Sequence, residues 1–161
     1  MKYLTLVFCA IGLSGFAQKI HFKSILVDTH NDAPTACIEK KVSFDQDLTG
    51  INHSDLKRFK EGGLDYQLFS IWCDGEKVNP YAWAMREMDT IDAVAARNPD
   101  KMVVAKDWKT IQAALKAGKI VAQYGVEGGH MIEDDINRLD TFYNRGVRYM
   151  TLTWNNSPSW A

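Results

Sequence analysis

The segment KIVAQYGVEGGH, residues 119–130, is the most informative part of the sequence for predicting the fold class. The run 119–126 is largely apolar and predicts a strand. Glu127 comes directly after it, and Gly128 and Gly129 then allow the backbone to turn and a ligand to approach closely. The segment therefore predicts a strand that ends in a carboxylate at the edge of a sheet.

Strands and helices alternate on both sides of this segment. The other predicted strands are 24–27, 64–73 and 147–153. The predicted helices, several of which end at a glycine, are 53–61, 80–97, 108–117 and 133–145. A short apolar run lies at 102–105, and Pro34 is expected to end the segment that follows the first strand. This alternation predicts right-handed βαβ units and a parallel sheet, that is, an α/β fold.

The composition is that of a soluble globular domain. The 161 residues are 46% hydrophobic and 24% charged, which is enough for one domain with a real core. The formal net charge is −1 and no long run of like charges occurs. This balance argues against a nucleic-acid partner, because such binding depends on a basic surface.

The first 17 residues predict a signal peptide, with 18–161 as the mature domain. Lys2 supplies the positive start, 3–13 the apolar centre and 15–17 a small-x-small cleavage site. The alternative interpretation is a buried N-terminal helix. Because the apolar stretch is shorter than the ~20 residues of a membrane span, we expect no transmembrane helix. The protein is expected to be exported, to the periplasm or the extracellular space.

Two cysteines remain after the predicted cleavage, Cys37 and Cys73. An oxidising compartment would permit a disulfide between them, but the sequence leaves this open. Neither lies in a C-x-x-C pattern, so the sequence gives no support for redox or thiolate-zinc chemistry.

Polar side chains collect where the predicted strands end. They are His30, Asp32, Asp74, Glu127, His130, Asn155 and Asn156. Active sites of parallel α/β folds form at this edge. His30, Asp32 and Glu127 are of the types that bind zinc and similar ions, and a glutamate can bridge two ions through its two oxygens. Taken alone, each motif is also compatible with an ordinary polar turn, and we interpret His130 as a turn residue.

Three stretches resemble the membrane dipeptidase (renal dipeptidase) family of zinc metallopeptidases. They are VDTHNDAP at 27–34, GGLDYQLFSIW at 62–72 and GVEGGHMIEDDINRLDTFYNRGVRYMTLTWNNSPSWA at 125–161. The resemblance extends over 25–161, and the last stretch is the most specific.

The resemblance implies a (β/α)₈ TIM-type barrel that holds two zinc ions at the C-terminal ends of its strands and hydrolyses dipeptides. His30 and Asp32 match ligands of one zinc, and Glu127 matches the catalytic carboxylate that bridges both ions. A hydroxide between the ions would attack the scissile carbonyl. Asp28 and Asn31 match positions that support these ligands.

The sequence departs from the family pattern in two respects. The second zinc of the family needs two further histidines, and no histidine follows His130 in this chain. A complete barrel needs ~250 residues. We therefore expect the N-terminal half of the domain, with the C-terminal half absent and at most one ion bound. Trp154 stands where the family often has a histidine, which leaves Asn155 and Asn156 as weak candidates for substrate binding.

Other functions are also compatible with the sequence. A different metal-dependent barrel hydrolase, such as an amidohydrolase, usually carries H-x-H after the first strand, whereas this chain has His30-Asn31-Asp32. An inactive half-barrel is the third interpretation. A half-barrel would expose the edge of its last strand, and we expect association, for example as a homodimer, through that edge.

Overall fold

The computed structural model describes residues 17–161. The strands are Val27–Asp28 (β1), Tyr66–Ile71 (β2), Met102–Val104 (β3), Ile120–Val126 (β4) and Val147–Met150 (β5). The α-helices between them are Ala33–Lys40 (α1), Leu56–Glu61 (α2), Pro80–Arg97 (α3), Trp108–Lys116 (α4) and Arg138–Arg145 (α5). Residues 1–16, which carry nearly all of the predicted signal peptide, lie outside the described part.

All strand pairs in the sheet are parallel, and β4 is its centre. One edge of β4 pairs with β2 along its length, from Tyr66 opposite Val121 to Ile71 opposite Val126. Beyond β2 lies β1. The other edge of β4 is divided between β3, beside its first residues, and β5, beside its last. The predicted α/β fold with a parallel sheet is confirmed.

The core forms because β4 is buried along its whole length. All seven of its residues are buried, as expected for a strand of a parallel sheet that is covered on both faces. An aromatic cluster extends this core, in which Phe44 meets Phe59 and Phe69 edge to face, at centroid separations of 5.1 and 5.5 Å. Among the described residues, no helix is long and apolar enough to cross a membrane. Cys37 and Cys73, whose pairing the sequence left open, are both free and buried.

The expectation that Pro34 ends the segment after β1 is wrong. Pro34 lies in the first turn of α1, which runs from Ala33 to Lys40. Proline is favoured in that place because the first N–H groups of a helix have no partner within the helix. The side-chain oxygen of Asn31 accepts a hydrogen bond from the Ala33 N–H at 2.9 Å.

The predicted helix over 133–145 is shorter than expected. Gly129–Ile132 forms a 3₁₀ turn, and Glu133 and Asp134 then adopt left-handed backbone conformations, with φ of 48° and 58°. The helix α5 begins only at Arg138. The Glu133 carboxylate accepts a hydrogen bond from the Tyr81 N–H at 3.0 Å, so a tertiary contact holds this residue outside the helix.

Two smaller differences concern short elements and element ends. The apolar run 102–105, for which the sequence predicts no element, contributes the strand β3. The predicted helix over 53–61 begins at Leu56, because the Asp55 side chain accepts a hydrogen bond from the Arg58 N–H at 2.8 Å and so caps it there.

A buried carboxyl group joins α1 to α3. Glu87 on α3 accepts a hydrogen bond from the Thr35 hydroxyl of α1. Glu87 is fully buried, and its Oε2 has no hydrogen-bond partner among the described residues. Burial raises the pKa of Glu87 from 4.5 to about 8, against the lowering effect of the Thr35 hydroxyl. The folded chain therefore holds a proton that the unfolded chain releases at lower pH.

This proton makes the stability dependent on pH. Between pH 4.5 and about 8 the folded state binds the extra proton, so the free energy of unfolding decreases as the pH rises, by at most ~1.4 kcal/mol per pH unit. We expect Glu87→Gln to flatten this dependence and to raise the melting temperature at pH 8.5, as measured by thermal unfolding from pH 5 to pH 9. Glu39→Gln, at an exposed position of α1, is the matched control. Equal pH profiles for the parent and Glu87→Gln would contradict the assignment.

Candidate metal centre

The turn after β1 brings His30 and Asp32 to the edge of the sheet. The Asp28 side chain accepts a hydrogen bond from the His30 N–H at 3.1 Å, which turns the chain directly after the strand. The Asn31 carbonyl accepts a second bond from the Ser70 N–H of β2 at 2.9 Å. Because one bond is local and the other crosses to the neighbouring strand, the turn is fixed relative to the sheet.

Glu127 reaches the same edge from β4. Its N–H donates to the Ile71 carbonyl at 2.9 Å and so continues the pairing of β4 with β2 by one residue. The Ser70 hydroxyl donates to its Oε2 at 3.0 Å. Gly128 follows with φ of +99°, and a Cβ atom there would lie only 2.4 Å from the His130 ring. The turn after Glu127 therefore requires glycine.

The three predicted ligands come together in the structure. His30 Nε2 lies 3.3 Å from Asp32 Oδ1 and 3.2 Å from Glu127 Oε2. One ligand atom from each residue lies within 4.8 Å of the others. Ligands at 2.0–2.2 Å from a tetrahedral zinc are themselves ~3.3–3.6 Å apart. The donor set, one imidazole nitrogen and two carboxylate oxygens, therefore fits a zinc-like ion in type and in spacing.

The centre is open on one side. The side chains of His30 and Asp32 are 47% and 53% exposed, whereas that of Glu127 is 25% exposed. The carboxylates of Asp32 and Glu127 have ligand atoms within 4.8 Å of each other. At this distance two negative charges repel unless a positive charge lies between them. The arrangement thus favours a cation, and its open side leaves room for water or for a ligand of that cation.

The other polar residues at this edge lie apart from these three. His130 lies in the 3₁₀ turn, with Nε2 at 3.0 Å from the Cys73 carbonyl oxygen, in agreement with its interpretation as a turn residue. Asp74, Asn155 and Asn156 line a separate recess, together with Trp154. The predicted site residues thus form two groups, a ligand cluster and a recess.

Tyr149 is a neighbour of the cluster that the sequence did not predict. It lies opposite Gly125 in the pairing of β5 with β4, and a Cβ atom on Gly125 would lie 1.9 Å from its ring. Its hydroxyl donates to the Thr29 carbonyl, one residue before His30, at 3.2 Å. Burial raises the pKa of Tyr149, and the negative charges of Glu127, Asp32 and Asp28 raise it further. The sequence signal for this contact is a glycine, Gly125, that lies opposite Tyr149. Recognising the pair requires the register of the two strands, which the sequence does not give.

Sequence relatives identify the family of the chain. The profile of the membrane dipeptidase family (peptidase family M19) matches residues 14–161. Dipeptidase 3 of Homo sapiens is 30% identical over 157 residues, which cover 94% of this chain and 31% of the human protein. The chain therefore spans less than a third of the length of this relative.

Solved structures show the same fold. The probable dipeptidase PvdM from Pseudomonas aeruginosa superposes with a TM-score of 0.78 at 18% identity, over 91% of this chain and 39% of that one. A metallopeptidase from Rhodobacter sphaeroides, liganded with a phosphinate mimic of the dipeptide L-Ala-D-Ala, gives 0.72 at 17% identity, over 83% and 46%. The neighbours have the TIM-barrel fold, which confirms the predicted fold class. Since the family profile matches most of its length, the chain belongs to the membrane dipeptidase family of metallopeptidases.

Proposed function

We propose that this chain provides a zinc-binding part of the active site of a dipeptidase, which hydrolyses the peptide bond of dipeptides. His30, Asp32 and Glu127 are its proposed metal ligands. The observation that carries the proposal is the spacing of their ligand atoms, 3.2 and 3.3 Å, at the C-terminal ends of two strands of the sheet. The dipeptide mimic bound by the Rhodobacter sphaeroides relative supports the substrate class.

The number of ions follows from the ligands that the chain offers. Within the described residues, the three proposed ligands form the one converging group of this kind, which suffices for one ion. Glu127 has a second carboxylate oxygen through which it would bridge to a further ion, as in dinuclear hydrolytic sites. We therefore propose at most one ion on this chain and two in the complete enzyme, with 18–161 as the N-terminal half of the catalytic domain.

His30, Asp32 and Glu127 would hold the ion, which would supply an activated water and Lewis-acid polarisation of the scissile carbonyl. Other residues of the chain orient the proposed ligands. The Ser70 hydroxyl fixes one oxygen of Glu127, the proposed catalytic carboxylate. Gly128 leaves room for the His130 ring and the Trp154 side chain to pack beside the turn that follows Glu127. Asn155 and Asn156 are proposed to contact the substrate from the neighbouring loop.

Two further proposals concern the location and association of the chain. We propose export, on the sequence pattern of residues 1–17 alone.

We also propose association between copies through the edges of the sheet. It is supported by large apolar side chains near β1 and β5, such as Val27 and Leu152, which are 48% and 68% exposed. Light scattering is expected to show a dimer or a larger species, and a stable monomer at high concentration would refute this.

Zinc binding tests the ligand set directly. We expect the purified chain to bind one zinc ion, and Glu127→Ala or His30→Ala to weaken binding by more than the ~10–100-fold that is typical for loss of a supporting partner. Competition with a chromophoric chelator provides the measurement. His53→Ala, at an exposed position outside the cluster, is the matched control. Unchanged zinc affinity in Glu127→Ala would refute the assignment.

Dipeptide hydrolysis tests the function. The protein isolated from its own source, whose intact mass is determined first, is expected to hydrolyse L-Ala-D-Ala. Activity is expected to disappear with a chelator and to return with zinc, because the ion supplies the attacking hydroxide. Hydrolysis that resists complete removal of the metal, or a zinc-loaded protein that cleaves no dipeptide, would reject the proposal.

Tyr149 is expected to position the His30 turn. Loss of its hydroxyl in Tyr149→Phe removes the hydrogen bond to Thr29 while the ring remains over Gly125, so we expect zinc to bind ~10-fold more weakly in a chain that unfolds cooperatively. Tyr143→Phe, on the exposed side of α5, is the control. If both variants bind zinc like the parent, the Tyr149 hydroxyl has no positioning role.

A further inference from the structure

A recess of about 680 Å³ lies between the loops that follow β2 and β5. We call it the acidic recess. Its lining residues are Asp74, Gly75, Glu76, Lys77, Trp154, Asn155 and Asn156. None of them belongs to the proposed ligand cluster, so the recess is a separate feature of the same edge of the sheet.

Close packing between the two loops forms the walls of the acidic recess. A Cβ atom on Gly75 would lie 2.5 Å from the Cβ of Asn156, so the loops touch there and have no room for a larger residue. The ring of Trp154 packs on that of Trp72, with centroids 5.5 Å apart. The two loops thus support each other and form the walls of an open recess.

The lining offers hydrogen-bond acceptors. Asp74 and Glu76 contribute two exposed carboxylates. The side-chain oxygen of Asn156 is buried and has no hydrogen-bond partner among the described residues. An acceptor that is removed from water without a partner is unfavourable, so the exposed carboxylates of Asp74 and Glu76 are the acceptors that a ligand in the recess can reach.

The positive charge in the lining is already engaged. Lys77 Nζ lies 3.3 Å from the centroid of the Trp83 ring, in a cation–π contact that holds it over the indole. With the two carboxylates of Asp74 and Glu76 against one ammonium group, the lining has more negative than positive charge. It is complementary to a cationic group and not to an anion.

The acidic recess adjoins the candidate metal centre. The Cβ of Trp154 lies 3.0 Å from the position that a Cβ atom would take on Gly128, the residue after Glu127. The Trp154 ring also lies beside that of His130, with centroids 6.0 Å apart. A small ligand bound at Glu127 would therefore have the recess as its neighbour.

We propose that the acidic recess binds the cationic side chain of a dipeptide, such as that of arginine. The inference rests on the proposed dipeptidase function only in taking the ligand to be a substrate. A guanidinium donates to carboxylates in pairs of parallel hydrogen bonds, and Asp74 and Glu76 supply the carboxylates that accept them. The aliphatic stem of the side chain would pack against Trp154.

Binding of dipeptides to the metal-free chain tests this charge preference. Arg-Ala, Ala-Ala and Glu-Ala share the terminal amine and carboxylate, so differences between them come from one side chain. In titrations of the chelator-treated full chain, followed by amide chemical shifts, we expect Arg-Ala to bind ~10-fold more tightly than Glu-Ala and to shift the signals of Gly75 and Asn156. Equal binding of the three dipeptides would overturn the proposal.

Two double variants assign the effect to the recess. Asp74→Asn with Glu76→Gln is expected to remove the preference for Arg-Ala. Glu61→Gln with Asp100→Asn, which removes the same charge at exposed positions outside the recess, is expected to keep it. A preference that survives the first pair or is lost in the second would overturn the proposal.

The zinc titration separates this inference from the proposed function. Preferential binding of Arg-Ala by a chain that takes up no zinc at His30, Asp32 and Glu127 would support the acidic recess and reject the metal site. Zinc binding without any preference for Arg-Ala would reject the recess and leave the metal site in place.

Discussion

The parallel pairing of β2 with β4 is the interaction on which the rest of the structure depends. Six residue pairs join these strands, and the Glu127 N–H extends the pairing to the Ile71 carbonyl. The same β2 strand holds the turn after β1 through the N–H of Ser70, whose hydroxyl reaches Glu127. Ser70 on β2 thus fixes His30 and Glu127 relative to each other, although almost a hundred residues separate these two residues in the chain.

The candidate centre combines a rigid base with an exposed set of ligands. The strand β4 beneath it is buried along its whole length, and the turn after β1 is hydrogen-bonded to β2, so the ends of these strands do not shift independently of one another. The ligand atoms themselves lie above this base, and two of the three side chains are about half exposed. Such an arrangement suits a hydrolytic metal site, because the protein fixes the ligands while solvent and substrate retain access. The neighbouring acidic recess adds charge selection beside that access route.

The sequence predicted the fold class and the ligand cluster because both depend on local patterns. Apolar runs that end in His30, Asp32 and Glu127 need only parallel strands to bring these residues to one edge. The sequence did not predict contacts that depend on the register of paired strands or on tertiary partners. Tyr149 required the pairing with Gly125, and Glu133 was taken out of its predicted helix by the Tyr81 backbone. Pro34 was misinterpreted because a proline that ends one segment is equally suited to begin a helix.

Two strands, β3 and β5, pair with the same edge of β4, and each constrains a different part of that strand. The strand β3 pairs with the first residues of β4, from Ile120 to Ala122, whereas β5 pairs with the last, from Tyr124 to Val126. The pairing with β3 therefore lies at the base of the sheet, away from Glu127, whereas the pairing with β5 leads up to it. A substitution that weakens the β3 pairing is thus expected to lower the stability of the sheet more than it displaces Glu127, whereas one that weakens the β5 pairing acts directly beside Glu127.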